Sequence, residues 1–139
     1  MQIFKKIDRW MLRRYPKYRL HRVCKAIGIK PYKWQRDYAL SKGGFISPEI
    51  RRQRANGKTT AIMLRILMIP NNKEECRAEA GRILQFDPDW RQDRIRWYSD
   101  EYRRLKNLCL KAGIPVMQAE IYRMLKAWEA VTWELMNSH

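Results

Sequence analysis

The sequence predicts a mainly α fold, a small helical domain that ends in a long-helix hairpin, and three observations carry that expectation. Apolar residues recur at three- and four-residue spacing through most of the chain; Gly and Pro fall between these periodic stretches; and only the stretch near residues 43–57 loses the pattern, which leaves it for one short irregular or strand-like loop. At 139 residues with 45% hydrophobic content, the chain fits one domain, 1–139, able to bury a core.

Ile3, Phe4, Ile7, Trp10 and Met11 predict a first helix, which Pro16 interrupts. A second covers Tyr18 to Ile27, with Gly28 as its C-terminal cap. Pro31 can open a third, carrying Tyr32, Trp34, Gln35 and Tyr38 up to Gly43-Gly44. Helical character resumes at Thr59 and runs through Ile62, Met63, Ile66 and Leu67 to Pro70. A short helix follows with Cys76, Ala80, Ile83 and Leu84. Asp87-Pro88 is a start signal, Asp as N-cap and Pro at the first helical position, for a long helix bearing Trp90, Trp97, Tyr98, Leu105 and Leu108. Gly113 ends it. A last helix begins near Pro115 with Met117, Ile121, Met124, Trp128, Val131 and Leu135 on one stripe, which reads as packing surface and completes the hairpin.

Charge divides the chain unevenly. Residues 1–70 hold 18 Lys and Arg against Asp8, Asp37 and Glu49, whereas residues 71–139 hold 12 against 11 acids, so nearly all of the net +16 lies in a basic N-terminal half. The charge-balanced second half reads as solvated helical faces. Like charges that repel in the folded state destabilise it, so the first half calls for a bound polyanion, nucleic acid first, with an acidic protein surface or anionic membrane as the other takers.

Cys24, Cys76 and Cys109 are odd in number, widely spaced and set among apolar residues, which predicts buried free thiols in a reducing, cytoplasmic setting. No secretory pattern opens the chain, and the longest apolar run, Ala61–Ile69, contains Arg65 and is too short for a bilayer, so no membrane partner is expected. With only His21 and His139 and no Cys pair at ligand spacing, no metal site is expected.

The most specific local pattern is Arg54-Ala55-Asn56-Gly57-Lys58-Thr59-Thr60, followed at once by an apolar helix. Glycine lets backbone N–H groups turn toward phosphate, lysine reaches its oxygens, and a hydroxyl at the helix start can hold magnesium. The first glycine of the full phosphate-loop motif is replaced by Arg52. This segment resembles the deviant Walker A loop of phage terminase large subunits, on the strength of Arg54, Asn56, Gly57, Lys58 and Thr59. Upstream, Lys30-Pro31-Tyr32-Lys33-Trp34-Gln35-Arg36-Asp37 looks like the adenine-recognising segment of the same family, with Gln35 as its glutamine. The resemblance covers roughly Ile29–Leu67 and implies ATP and magnesium as the cofactors of such a site. No Walker B run, catalytic carboxylate or nuclease domain accompanies it, so no catalytic residue is expected. Residues 54–60 then read as an anion or nucleotide site without turnover, as a plain helix start, or as a nucleotide-binding switch or ATPase. Gln35 has an ordinary alternative as a helix-surface amide.

Val23–Ile29 followed by Trp34 has the spacing of a helix-turn-helix, which would place Lys33 and Arg36 toward DNA; a helix hairpin explains the same spacing, and Asp37 falls where that motif wants an apolar residue. The reading that gathers these features is a phage-derived, non-catalytic nucleic-acid-binding accessory protein. Arg13, Arg14, Lys17, Arg19, Arg22, Lys33, Arg36, Arg51 and Arg52, with Arg54 and Lys58, would contact phosphates, and Tyr15, Tyr18 and Tyr32 would stack on unpaired bases. The alternative from another class is a small interaction protein that modulates a nucleoprotein enzyme, as a phage counter-defence factor would.

Overall fold

Pro16 sets the first corner of the chain. The computed structural model describes residues 2–40, 57–69, 73–86, 94–116, 123–128 and 130. Helix α1 (Gln2–Arg14) stops because Tyr15, which precedes proline, is extended at φ −119° and ψ 102°, and Pro16 then opens α2 (Pro16–Ile27) at the one place where a missing N–H costs nothing. Gly28 ends α2 in the left-handed region at φ 75°, its N–H on the Cys24 carbonyl at 2.9 Å. The second helix thus starts two residues before the expected Tyr18, and α3 (Lys33–Leu40) starts two after Pro31.

Helix α4 (Lys58–Leu67) is buried at every residue from Ala61 to Leu67, including Arg65, and so is apolar nearly all round, as a central helix must be. Around it lie α3 and α5 (Lys73–Phe86), both in contact with α4, while α2 bridges α1, α3 and α6 (Arg94–Lys111). At 14 residues α5 is longer than the short helix expected, and Glu74 and Glu75 in its first turn complement the helix dipole. On α6, Ile95, Tyr98, Tyr102, Leu105 and Cys109 form the inward stripe. Gly113 closes that helix at φ 79°, and Ile114, 1% exposed, returns its N–H to the Cys109 carbonyl at 2.9 Å. One hydrophobic cluster joins Leu12, Leu20, Val23 and Ile27 to α4, α6 and Leu125, so the N-terminal helices pack on the rest.

Residues 123–128 are helical as expected, and Trp128 reaches α5, donating its Nε1–H to the Arg77 carbonyl at 2.8 Å. The expected loop at 43–56, the Asp87-Pro88 start and the Met117 and Ile121 positions lie outside the described residues. Among the described residues there is no strand, and no helix is long and apolar enough to cross a membrane. One stripe and one single position depart from the core role that helical spacing suggests. On α1, Ile3, Phe4, Ile7 and Trp10 are 49–77% exposed while Leu12 alone is buried, and on α6 Trp97 is 54% exposed. The reason on α1 is that Asp8, a turn before Leu12, is held on α2 by Tyr18 and Arg22, which fixes the opposite side of the helix inward.

A polar cluster ties α3, α4 and α5 together inside this core. Tyr38 donates its hydroxyl to Glu79 at 2.5 Å, Arg82 bonds both Tyr38 and Glu79 at 3.0 Å, and Arg65 donates Nη1 to the Ala39 carbonyl at 3.0 Å. Arg65 Nε sits 3.9 Å from Glu79 without a hydrogen bond. Burial raises the Glu79 pKa against the opposing effects of Tyr38, Arg82 and Arg65, and burial first, then Glu79, pushes Tyr38 up to about 12.

Candidate functional site

The two segments of the phosphate-loop pattern, separated by 22 residues, meet through Gln35. Its Oε1 accepts the Tyr32 N–H at 2.9 Å, which caps the start of α3, and its Nε2 donates to the Gly57 carbonyl at 3.0 Å, which ties the residue before α4 to α3. Gln35 is 5% exposed, so it is not the helix-surface amide that an exposed α3 face would have carried. Gly57 is required by its backbone, and a side chain there would push the amide end of Gln35 from its place. The Gly57 φ of 72° lies in the left-handed region, and a Cβ there would stand 2.4 Å from Gln35 Nε2. Lys58 and Thr59 follow as the first residues of α4, with no side-chain cap. Arg51, Arg52, Arg54 and Asn56 lie outside the described residues. Chemically, Gln35 spends one lone pair and one N–H on the protein's own backbone, so the pairing of glutamine with glycine has a structural use before any ligand is invoked.

The basic half sorts into two kinds of cation. Arg19 is 4% exposed and donates to the carbonyls of Leu67, at 2.8 Å, and Pro115, at 2.5 Å; burial draws its pKa below the ordinary arginine value. Arg22 is half-buried, ion-paired with Asp8, 6.0 Å from the Tyr18 ring centroid, and donates Nη2 to the Ala112 carbonyl at 2.8 Å. Burial works to raise the Asp8 carboxyl, but the bonds from Arg22 and Tyr18 and the Arg22 charge outweigh it and hold the pKa below the usual range. These two arginines are joints of the fold, and a phosphate would have to displace their carbonyl and carboxylate partners.

The second kind lies on the surface. Lys5, Lys6, Arg9, Arg13, Arg14, Lys17, Lys25, Lys30, Lys33 and Arg36 are all exposed, and within residues 2–40 Asp37 is the one exposed acid. Sequence reasoning singled out Arg13, Arg14, Lys17, Lys33 and Arg36 from this set. It passed over Lys25 and Lys30, although Lys17, His21 and Lys25 recur every fourth residue and so share one face of α2. Lys17, Lys25, Lys30, Lys33 and Arg36 converge on a groove of about 930 Å³ between α2 and α3, whose wall also includes Leu20, Ile29 and Leu40. Tyr32, outside the groove's lining, is 65% exposed; Tyr15 is 47% exposed and makes an edge contact with Trp10 at 5.5 Å; Tyr18 is turned inward onto Asp8.

The three cysteines are buried free thiols, and burial raises each of them, Cys76 and Cys109 to about 11. Among the described residues no cluster of His, Cys, Asp and Glu could hold a metal ion. No family model, curated protein or solved structure matches this chain.

Proposed function

We propose that the protein is a non-catalytic nucleic-acid-binding accessory protein that grips phosphates through the surface cations of α1, α2 and α3. The observation that carries this reading is the set of ten exposed lysines and arginines in residues 2–40 against the single exposed Asp37. Clustered cations neutralise phosphates without reading sequence, and the counterions they release make binding fall steeply with salt. The phage-derived and terminase-like parts of the proposal rest on the sequence pattern at residues 29–67.

The test is fluorescence anisotropy with duplex DNA, single-stranded DNA and RNA over a salt series, for the wild type and for an Arg13/Arg14/Lys17→Ala variant. Binding should weaken in the variant and its salt slope should flatten. Weak binding that hardly depends on salt would overturn the proposal.

A second reading, docking on the protein part of a nucleoprotein enzyme, is favoured by the exposed Ile3, Phe4, Ile7 and Trp10 interleaved with Lys5, Lys6 and Arg9 on α1. Pull-down with nuclease treatment separates the two readings: a stoichiometric protein partner that survives nuclease, and is lost on Phe4→Ser/Trp10→Ser substitution, would favour docking.

A further inference from the structure

We infer that the groove between α2 and α3 is a site for single-stranded nucleic acid, which takes unpaired bases against its apolar wall and their phosphates on its rim; this deepens the phosphate-binding reading above and rests on it. Charge complementarity names the class of ligand. Lys17, Lys25, Lys30, Lys33 and Arg36 line the groove and, among the described residues, only Asp37 opposes them, so a polyanion is drawn to it. Concavity and the wall narrow the class further. In a duplex the base faces are stacked away and the edges are read by a protruding element that enters a groove of the DNA, which a slot in the protein does not provide. Unpaired bases expose apolar faces, and the half-buried Ile29 and Leu40 offer them a surface between the cations.

Tyr32, between the groove residues Pro31 and Lys33 but not itself part of the lining, offers an exposed stacking platform in the same segment. The residue is 65% exposed, yet its backbone is fixed because its N–H is donated to the buried Gln35 side-chain oxygen at 2.9 Å. An exposed aromatic on a pinned backbone loses little freedom when a base settles on it. Gln35 therefore acts as a positioning residue for Tyr32, and its bond to Gly57 braces that position from α4.

The experiment measures anisotropy with fluorescent oligothymidylate and with a duplex of the same length, for wild type and Tyr32→Ala, which changes no charge and removes an exposed ring. The expected result is tighter binding of the single strand by the wild type, and in Tyr32→Ala a loss of about tenfold for the single strand with the duplex unchanged. Equal affinity for the two probes in both proteins, or equal losses on both, overturns the groove site and leaves general phosphate binding standing. No binding of either probe overturns both. As a second readout, photocross-linking with 4-thiothymine-containing single strand should label the peptide spanning residues 17–40; labelling confined to other peptides overturns the site.

Discussion

The Gln35 side-chain amide donates to the Gly57 carbonyl at 3.0 Å, and a Cβ on Gly57 would lie 2.4 Å from the same nitrogen. Gly57→Ala should therefore destabilise the protein by about 1–3 kcal/mol, since a non-glycine residue is forced into the left-handed region, and the clash with Gln35 comes on top. Gln35→Ala should cost about 2 kcal/mol for two lost hydrogen bonds. Once Gln35 is short, the clash disappears, so the double variant should be more stable than the sum of the singles implies. Urea denaturation of the four proteins measures this; strict additivity would mean that the two residues do not press on each other.

How much of this was legible beforehand differs from residue to residue. Pro16, Gly28 and Gly113 act locally, and the sequence places the corners they make within two residues. The face that a helix turns inward is a tertiary matter. The spacing of Ile3, Phe4, Ile7 and Trp10 is as regular as that of a core stripe, but Asp8 and Leu12 decide which side of α1 meets α2. Gln35 and Gly57 are recognisable as parts of one pattern, yet that they bond to each other depends on α3 packing against α4.

Arginines in the basic half look alike in sequence and should part company in experiment. Arg19→Ala leaves the Leu67 and Pro115 carbonyls without their charged donor and opens space in the core, so a loss of several kcal/mol in stability is expected, on the order of 3 kcal/mol. Arg13→Ala and Arg14→Ala are surface changes and should stay within about 0.5 kcal/mol. Each should instead lower the logarithmic salt slope of nucleic-acid binding by about 1 if it contacts a phosphate. Thermal melts beside salt titrations separate the two classes. Comparable stability losses at Arg14 and Arg19 would contradict the burial difference.

Acid should release the Asp8 joint. The Asp8 pKa in the folded protein lies below its ordinary 3.8, so the native state favours the ionised carboxylate; the stability this gives is present above pH 3.8 and is lost as pH falls through the depressed folded value. Glu79 works in the opposite direction. Its folded pKa is raised above 4.5, so its contribution weakens as pH rises from 4.5 through the folded value. Asp8→Asn should therefore flatten the acid limb of the stability curve while leaving the Glu79-dependent change at higher pH in place. Denaturant midpoints taken across the acid range check both signs, and an unchanged acid limb in the variant would remove Asp8 from the account.

Gly81 lies inside α5, where alanine would ordinarily stabilise the helix by about 0.8–1.0 kcal/mol. Here the added Cβ would meet Trp128 Cε2 at 2.9 Å, and the indole cannot easily slide away because its Nε1–H is committed to the Arg77 carbonyl, four residues back on the same helix. Gly81→Ala should thus be destabilising in the wild type. With Trp128 cut back to alanine the obstacle goes, and helix propensity alone should decide, so the same substitution should become stabilising. A reversal of sign between the two backgrounds, read from urea midpoints, requires that residues 123–128 dock on α5 as described. The same stabilisation in both backgrounds would show that Trp128 does not hold that place in solution.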